Sequence, residues 1–556
     1  MAAQTLEKPR SATHEVLNQS VPRVGFDEFE LNLPLVEGVK RYDAGWARER
    51  LHQAGRLVGS GDFQLWAEQA NTNPPRLDTH DRYGNRVDEV VYHPAYHQIM
   101  RASVGLGAHA LAWREVRPGA HVARAALFML LTQIEPGHGC PISMTHSVVP
   151  ALRAQPELAA EWEPHLTSLE YDPRLAPAPE KHGCLAGMAM TEKQGGSDVR
   201  SNTTRATPID GGRSGGEYLL TGHKWFCSAP MGDLFLVLAQ TPEGLSCFLV
   251  PRVLSDGARN VFRLQRLKDK LGNRSNASAE LELDSTWARM VGEPGRGVRT
   301  IIEMANHTRL DCVLGTTAGM RQAVAEATWH AAHRDAFAKR LIDQPLMANV
   351  LADLCLEAEA ATVTALRLAR AYDQDADEQE TLFKRLATAV SKYWVCKRGP
   401  RHAFEALECL GGNGYVETFP LARRYREQPL TSIWEGSGNV LCLDVLRAMA
   451  SNPHILDAFL TEIEEAAGAD QRLDAYTLQL RKELENGQDL EPRARRIVER
   501  MALALQASLL VRHAPADLAA AFCAARLTSE GGHEYGTLPP TIDTAAIIAR
   551  HATHLN

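Results

Sequence analysis

Gly187-Met188-Ala189-Met190-Thr191-Glu192-Lys193-Gln194-Gly195-Gly196-Ser197-Asp198-Val199-Arg200-Ser201 is a short apolar run that opens into a loop with two adjacent glycines and several hydroxyls. The apolar start reads as a strand. Hydroxyls and exposed backbone amides suit a polar heterocycle or a phosphate. An ordinary β-turn is the plainer reading, but a turn needs fewer special residues. Far downstream, Thr431-Ser432-Ile433-Trp434-Glu435-Gly436-Ser437-Gly438-Asn439 sets one carboxylate in an uncharged segment, beside two glycines that flank a serine. Gly436 and Gly438 let the backbone approach another group closely. Ser437 or Asn439 would cap a helix that starts there, and its free N–H groups would be open to an anion. Glu435 is a candidate general base. A plain helix N-terminus with an acidic first turn is the alternative.

At 556 residues the chain exceeds one core, so two to four domains are expected. A net charge of −8 gives no global attraction to nucleic acid or to an anionic membrane. The ten cysteines are scattered and form no CxxC pair, so no structural zinc, dithiol or other metal set is expected. Reduced, mostly buried thiols point to the cytoplasm. The start, Met1 to Arg23, lacks the apolar core of a signal peptide, and no run reaches the ~18 residues of a membrane span.

Residues 1–40 read as an irregular arm. Residues 41–184 read as helical, with Trp46, Leu51, Leu57, Phe63, Leu65 and Trp66 on one buried face and a polar loop from Asn71 to Arg86. Short apolar runs over 185–295, with a turn at Pro242-Glu243-Gly244, read as a β domain. Residues 296–450 carry long helical patterns with short connections, an antiparallel bundle. Residues 451–556 form a further helical extension.

Ala189 to Ser201 resembles the first signature of the acyl-CoA dehydrogenases. Gly222 to Ser228 resembles their strand over the flavin, and Ala305 to Met320, with Thr308-Arg309, resembles the first long helix of their bundle. Leu410-Gly411-Gly412-Asn413-Gly414-Tyr415 and Ile433-Trp434-Glu435-Gly436 resemble the second signature and the catalytic segment. The stretches 190–199, 267–278 and 433–439, with the N-terminal arm and the helical tail, resemble the alkylation-response branch of that family.

The resemblance implies a mainly α fold with a central antiparallel β domain: helices, a β-barrel and a four-helix bundle, plus the extra C-terminal domain. It implies FAD and an acyl-CoA-like substrate. Met188, Met190, Thr191, Gly196 and Ser197 would line the flavin, with Ser197 on a flavin phosphate or the substrate. Trp225, Phe226, Cys227 and Ser228 would lie along the ring. Cys227 stands where the family usually has a threonine that donates to flavin N5, and Ser228 is the other candidate donor. Ile433, Trp434, Gly436, Ser437 and Asn439 would complete the pocket. Gly411 and Gly412 would approach the FAD of a neighbouring subunit in a homotetramer. Glu408 and Asp335-Ala336-Phe337-Ala338 depart from the family pattern near Arg334.

Glu435 would take the α-proton, with Thr308 and Arg309 beside the substrate. An intersegment salt bridge is the other reading of Arg309. The branch also implies double-stranded DNA as a partner, and hence an alternative role as a DNA-binding protective flavoprotein with vestigial dehydrogenase activity. From Val445 onward the chain holds 11 Arg and Lys against 15 Asp and Glu, so the tail is not basic overall. Arg447, Arg493, Arg495, Arg496, Arg500 and Arg512 are the candidate patch, and a solvated helix face is the competing reading. His551 and His554 read as a frayed terminus rather than a metal site.

Overall fold

The computed structural model describes residues 13–209 and 211–552. Helices come first. Leu33–Arg41 begins with proline in its first turn and ends on Lys40 and Arg41, which suits the helix dipole. The pattern expected as one stretch from Asp43 to Ala70 is two helices, Arg48–Val58 and Gly61–Thr72, the second capped by the Ser60 hydroxyl on the Phe63 N–H. The break resets the helical phase. Leu51 and Phe63 are fully buried, whereas Leu65 faces solvent. Gly59 is required there, because a Cβ would lie 1.9 Å from the Phe26 carbonyl oxygen.

The arm differs from expectation in two ways. Its last part is the Leu33–Arg41 helix, and its middle is pinned by a buried Arg23–Glu28 pair and by the Trp329 indole N–H on the Val21 carbonyl. Residues 1–12 lie outside the described residues. Asn71 to Arg86 is not all loop, since Arg76–His80 and Arg86–Val91 pair as a hairpin. Only Leu77 among the apolar residues marks the first strand. The pairing is held instead by contacts to the main sheet, including Arg86 on the Leu264 carbonyl and the Leu264 N–H on Asp88.

Pro94–Leu106, Ala120–Ile134, Gly139–Leu152 and Pro156–Leu166 complete the first helical group. Ala120–Ile134 is buried on every side, as expected of a central helix without an amphipathic stripe.

The seven-stranded sheet follows. Leu234–Thr241 and Gly244–Pro251 pair antiparallel across the turn at Pro242-Glu243. Gly244–Pro251 then meets Ser278–Val291, which meets Glu217–Ser228, which meets Arg205–Pro208. A parallel contact of Arg205 with Gln240 closes the ring into a barrel. Ala186–Ala189 joins Leu234–Thr241, also in parallel. The barrel is therefore mixed, where an antiparallel one was expected. Parallel pairing needs long crossovers, and sequence alternation does not reveal it.

Three long helices form the bundle: Gly297–Ala332, Pro345–Arg370 and Glu378–Glu408. Pro420–Thr431 and Gly438–Ser451 carry the Glu435 turn between them. The tail adds Pro453–Glu464, Gln471–Glu485, Leu490–His513, Ala516–Leu527 and Thr544–His551. Ile497, Val498, Met501, Leu505 and Leu509 share one buried face, so the tail continues the core. His551 is not frayed. It is buried and bonded to Glu359 at 2.9 Å, while His554 lies outside the described residues. All ten cysteines are buried free thiols, and no described helix is long and apolar enough to cross a membrane.

Residues 267–278 lock the three regions together. Gly272 lies so near the bundle that a Cβ would be 2.3 Å from the Arg426 carbonyl oxygen. The Asn273 N–H donates to Glu427, and the Ser275 hydroxyl donates to Glu135 in the first helical group.

Candidate active site

A cavity of about 910 Å³ opens between the barrel, the bundle and the first helices. The Gly187–Ser201 loop forms one wall and the Glu435 turn another. Glu192 of that loop is structural. It is buried against the Lys224 ammonium at 2.8 Å and takes the hydroxyls of Thr203 and Thr204. Burial alone would raise its pKa, but Lys224 and these donors outweigh that and hold it below the usual carboxylate range. Its role is to fix the loop that presents Met190, Thr191 and Ser197.

The Glu435 turn has an unusual shape. Glu435 sits at φ 57°, which a β-carbon disfavours, and Gly436 follows at φ 107°. Three interior contacts hold it. Lys392, fully buried, donates to the carbonyls of Trp434 (2.6 Å) and Gly436 (2.5 Å). Arg309 Nε donates to the Glu435 carbonyl at 3.0 Å, and its Nη1 pairs with Asp444, which Arg385 also binds. The carbonyls thus face the bundle while the Glu435 side chain faces the cavity. Among the described residues no backbone carbonyl takes the Glu435 N–H.

The carboxylate meets Thr308 Oγ1 at 2.9 Å. Burial raises the Glu435 pKa above its ordinary value, and the Thr308 hydroxyl, Lys392 and Arg309 pull it partly back. Arg309 makes the intersegment salt bridge and also lines the cavity.

Of the residues nominated from sequence, Met188, Met190, Thr191, Gly196, Ser197, Trp225, Phe226, Ser228, Thr308, Arg309, Ile433, Trp434, Gly436 and Ser437 line the cavity with Glu435. Cys227 does not, because its side chain is fully buried in the hydrophobic core. A register shift between Lys224 and Cys227 turns Trp225 and Phe226 together to the cavity and leaves Ser228, not Cys227, on it. Asn439 is also off the cavity and accepts from Arg495 at 2.8 Å. Gly411 and Gly412 are exposed and away from it.

The tail arginines do not form a free patch. Arg493 donates to the carbonyls of Asn486 and Gln488, and Arg496 and Arg500 pair with Glu483. Arg512 pairs with Glu462 and Glu465, and Arg447 lines the cavity.

Lys392 and Lys270 were missed from sequence. The signal for Lys392 was a lone lysine in an otherwise buried helical run, Leu386 to Cys396. Lys270 lines the cavity and donates to the Asn276 carbonyl (2.5 Å) and Ser278 Oγ (3.1 Å), which lies 3.2 Å from Ser228 Oγ. Burial lowers the Lys270 pKa to about 8.

The wall carries the hydroxyls of Thr191, Ser197 and Ser228 beside the aromatic faces of Trp225 and Phe226, a set of groups that suits a large polar ring system.

Comparison with known proteins decides the family. The chain is 44% identical over 522 residues to the putative acyl-CoA dehydrogenase AidB of Escherichia coli K12, covering 94% of this chain and 95% of that one. It belongs to the acyl-CoA dehydrogenase family. Residues 18–173 match the adaptive response protein AidB N-terminal domain, 187–286 the acyl-CoA dehydrogenase middle domain and 295–450 the C-terminal domain. Caenorhabditis elegans ACDH-11, solved in complex with C11-CoA, superposes with a TM-score of 0.83 at 25% identity over 98% of this chain and 94% of that one. The apo-form of Bd2924 gives 0.80 at 30% identity over 90% and 100%. The match to ACDH-11 extends through the C-terminal extension.

Proposed function

We propose that this AidB-like chain is an FAD-dependent oxidoreductase acting on the CH–CH bond of an acyl thioester. The observation that carries the reading is Glu435, a lone carboxylate held into the cavity by a strained turn whose carbonyls are all tied back. FAD, when bound, supplies the hydride acceptor for the β-carbon. Met188, Met190, Thr191, Ser197, Trp225, Phe226 and Ser228 would hold it. Ser228 takes the donor role that the family gives to a threonine at the Cys227 position.

The chain's own groups handle the proton. Glu435 receives the α-proton on the carboxylate that Thr308 orients. Its unpartnered N–H donates to the thioester carbonyl as the enolate charge develops there. Burial keeps this carboxylate basic enough to act near neutral pH. ACDH-11 with C11-CoA supports an acyl-CoA ligand in the same fold. The expected assembly is a homotetramer, to which the exposed Phe337 and Tyr415 would contribute apolar surface. We place the protein in the cytoplasm on its free thiols.

The pH dependence tests Glu435 and Thr308 together. Only the ionised carboxylate accepts a proton, so flavin reduction should rise with pH along a limb whose pKa lies above 4.5. The Thr308 bond favours the ionised form. Thr308→Val should therefore move that limb to higher pH. A limb that stays put, or moves down, removes Thr308 from the site.

Kinship with AidB also supports a link to the alkylation response, with double-stranded DNA as partner and a protective role as the alternative. The geometry favours the enzyme. Duplex binding is expected to be weak at physiological salt and changed less than about 3-fold by Arg495→Glu or Arg496→Glu. Binding that falls steeply with salt and with either variant supports the alternative.

A further inference from the structure

Behind the active site, three buried histidines converge from three helices. His121 sits in Ala120–Ile134, His146 in Gly139–Leu152 and His307 in Gly297–Ala332. Their ring centres are 5.6 Å (121–146), 5.8 Å (121–307) and 5.4 Å (146–307) apart. One nitrogen of each lies within 4.8 Å of the others. Trp113 closes the group on one side, stacked on His146 at 4.8 Å, and Tyr372 on another, 4.8 Å from His307.

We propose that His121, His146 and His307 form a binding site for a borderline divalent cation of the zinc class. A zinc ion about 2.0–2.1 Å from three imidazole nitrogens in tetrahedral array puts the ring centres about 5–5.5 Å apart. The observed ring centres lie slightly further apart, and rotation and inward movement of the rings that bring the three nitrogens to about 3.3 Å of one another would complete the site.

A purely aromatic core is the plainer account, but it leaves His307 Nδ1 unexplained. Among the ring nitrogens of the three only His146 Nδ1 has a protein partner, the His109 carbonyl at 3.1 Å. Metal-ligating histidines commonly make such an outer contact through one ring nitrogen and leave the other, here Nε2, for the ion. His307 Nδ1 is buried with no partner at all. Buried polar atoms are nearly always satisfied, and a cation with a water in the fourth position satisfies these.

The fixed charges nearest the rings are the cations Arg124, Lys384 and Arg153, the last paired with Glu163. Arg124 pairs with Asp311, Lys384 faces Glu303 and Glu380, and Asp373 takes the N–H groups of Gly119 and His121. Imidazole ligands without thiolates select zinc-class ions over calcium or magnesium.

The placement indicates the consequence. His307 precedes Thr308, which holds the Glu435 carboxylate. A cation here would clamp the long bundle helix to the first helical group directly behind the base.

The test uses the full-length flavoprotein, stripped with a chelator, exposed to zinc sulfate alone and passed through gel filtration. Zinc is counted by plasma mass spectrometry and flavin by absorbance. The wild type should retain about one zinc per chain. His146→Phe and His307→Leu should lower retention by about 10-fold or more with flavin kept, while His52→Ala, in the surface group Asp27, Glu30 and His52, should not. Wild type that retains less than about a tenth of an equivalent overturns the proposal. So does retention unchanged in both variants, or lost with His52→Ala. If both variants misfold, X-ray absorption of the zinc-loaded wild type decides, since a first shell without three nitrogen ligands at about 2.0–2.1 Å also overturns it.

Discussion

Glu435→Gln is expected to slow flavin reduction by an acyl-CoA by about 10²- to 10⁴-fold, the range that a positioned general base supplies. Glutamine keeps the side chain's size and its contact with Thr308, but it cannot accept the proton. The turn itself should survive, because Lys392 and Arg309 hold backbone carbonyls rather than the Glu435 side chain. FAD content and melting temperature should therefore match the wild type. Anaerobic stopped-flow at a saturating substrate concentration reads the effect. A reduction rate within a few-fold of wild type would take the base away from Glu435.

Lys392→Met is the second large effect, and it acts on both stability and rate. Methionine fills much of the lysine stem's volume but leaves the carbonyls of Trp434 and Gly436 without donors. An unsatisfied buried acceptor costs about 1–3 kcal/mol, so a loss of roughly 2–6 kcal/mol is expected for the pair. The turn would also lose the contact that keeps its carbonyls facing inward. Misplacing a catalytic group by about 1 Å can cost about 10²-fold in rate. Because the Lys392 charge also lowers the Glu435 pKa, the pH limb should move upward in the variant. Lys392 is thus a positioning residue, and a purely structural role would lower stability while leaving the pH limb in place. Urea unfolding and a pH–rate profile separate the two.

The order of helices, β domain and bundle was legible in the sequence, and so were the two motifs that meet at the cavity. The Gly187–Ser201 loop and the Glu435 turn are local motifs, and both line the cavity. What failed locally was phase. One bulge between Lys224 and Cys227 decides which of Cys227 and Ser228 faces the cavity, and no residue pattern announces it. The Gly59–Ser60 break likewise turned Leu65 outward. The parallel closure of the barrel through Arg205 and Gln240 depends on a long crossover that alternation cannot show.

Lys392 and the three histidines escaped for a different reason. Each is a single polar residue in a helix, separated from its partners by long stretches of chain. Ligand spacing along the sequence finds compact motifs such as CxxC, whereas this cluster exists only after three helices pack. The tail shows the converse. Arg493, Arg496 and Arg500 look like a basic run in sequence, but Glu483 and nearby carbonyls occupy them in the fold.

The most direct measurement is an anaerobic titration of the purified yellow protein with a panel of short, branched and long acyl-CoAs, following flavin absorbance. Bleaching by at least one thioester in the wild type, lost in Glu435→Gln protein that retains its FAD, is the predicted result. Full FAD occupancy with no bleaching by any thioester would contradict the dehydrogenase reading.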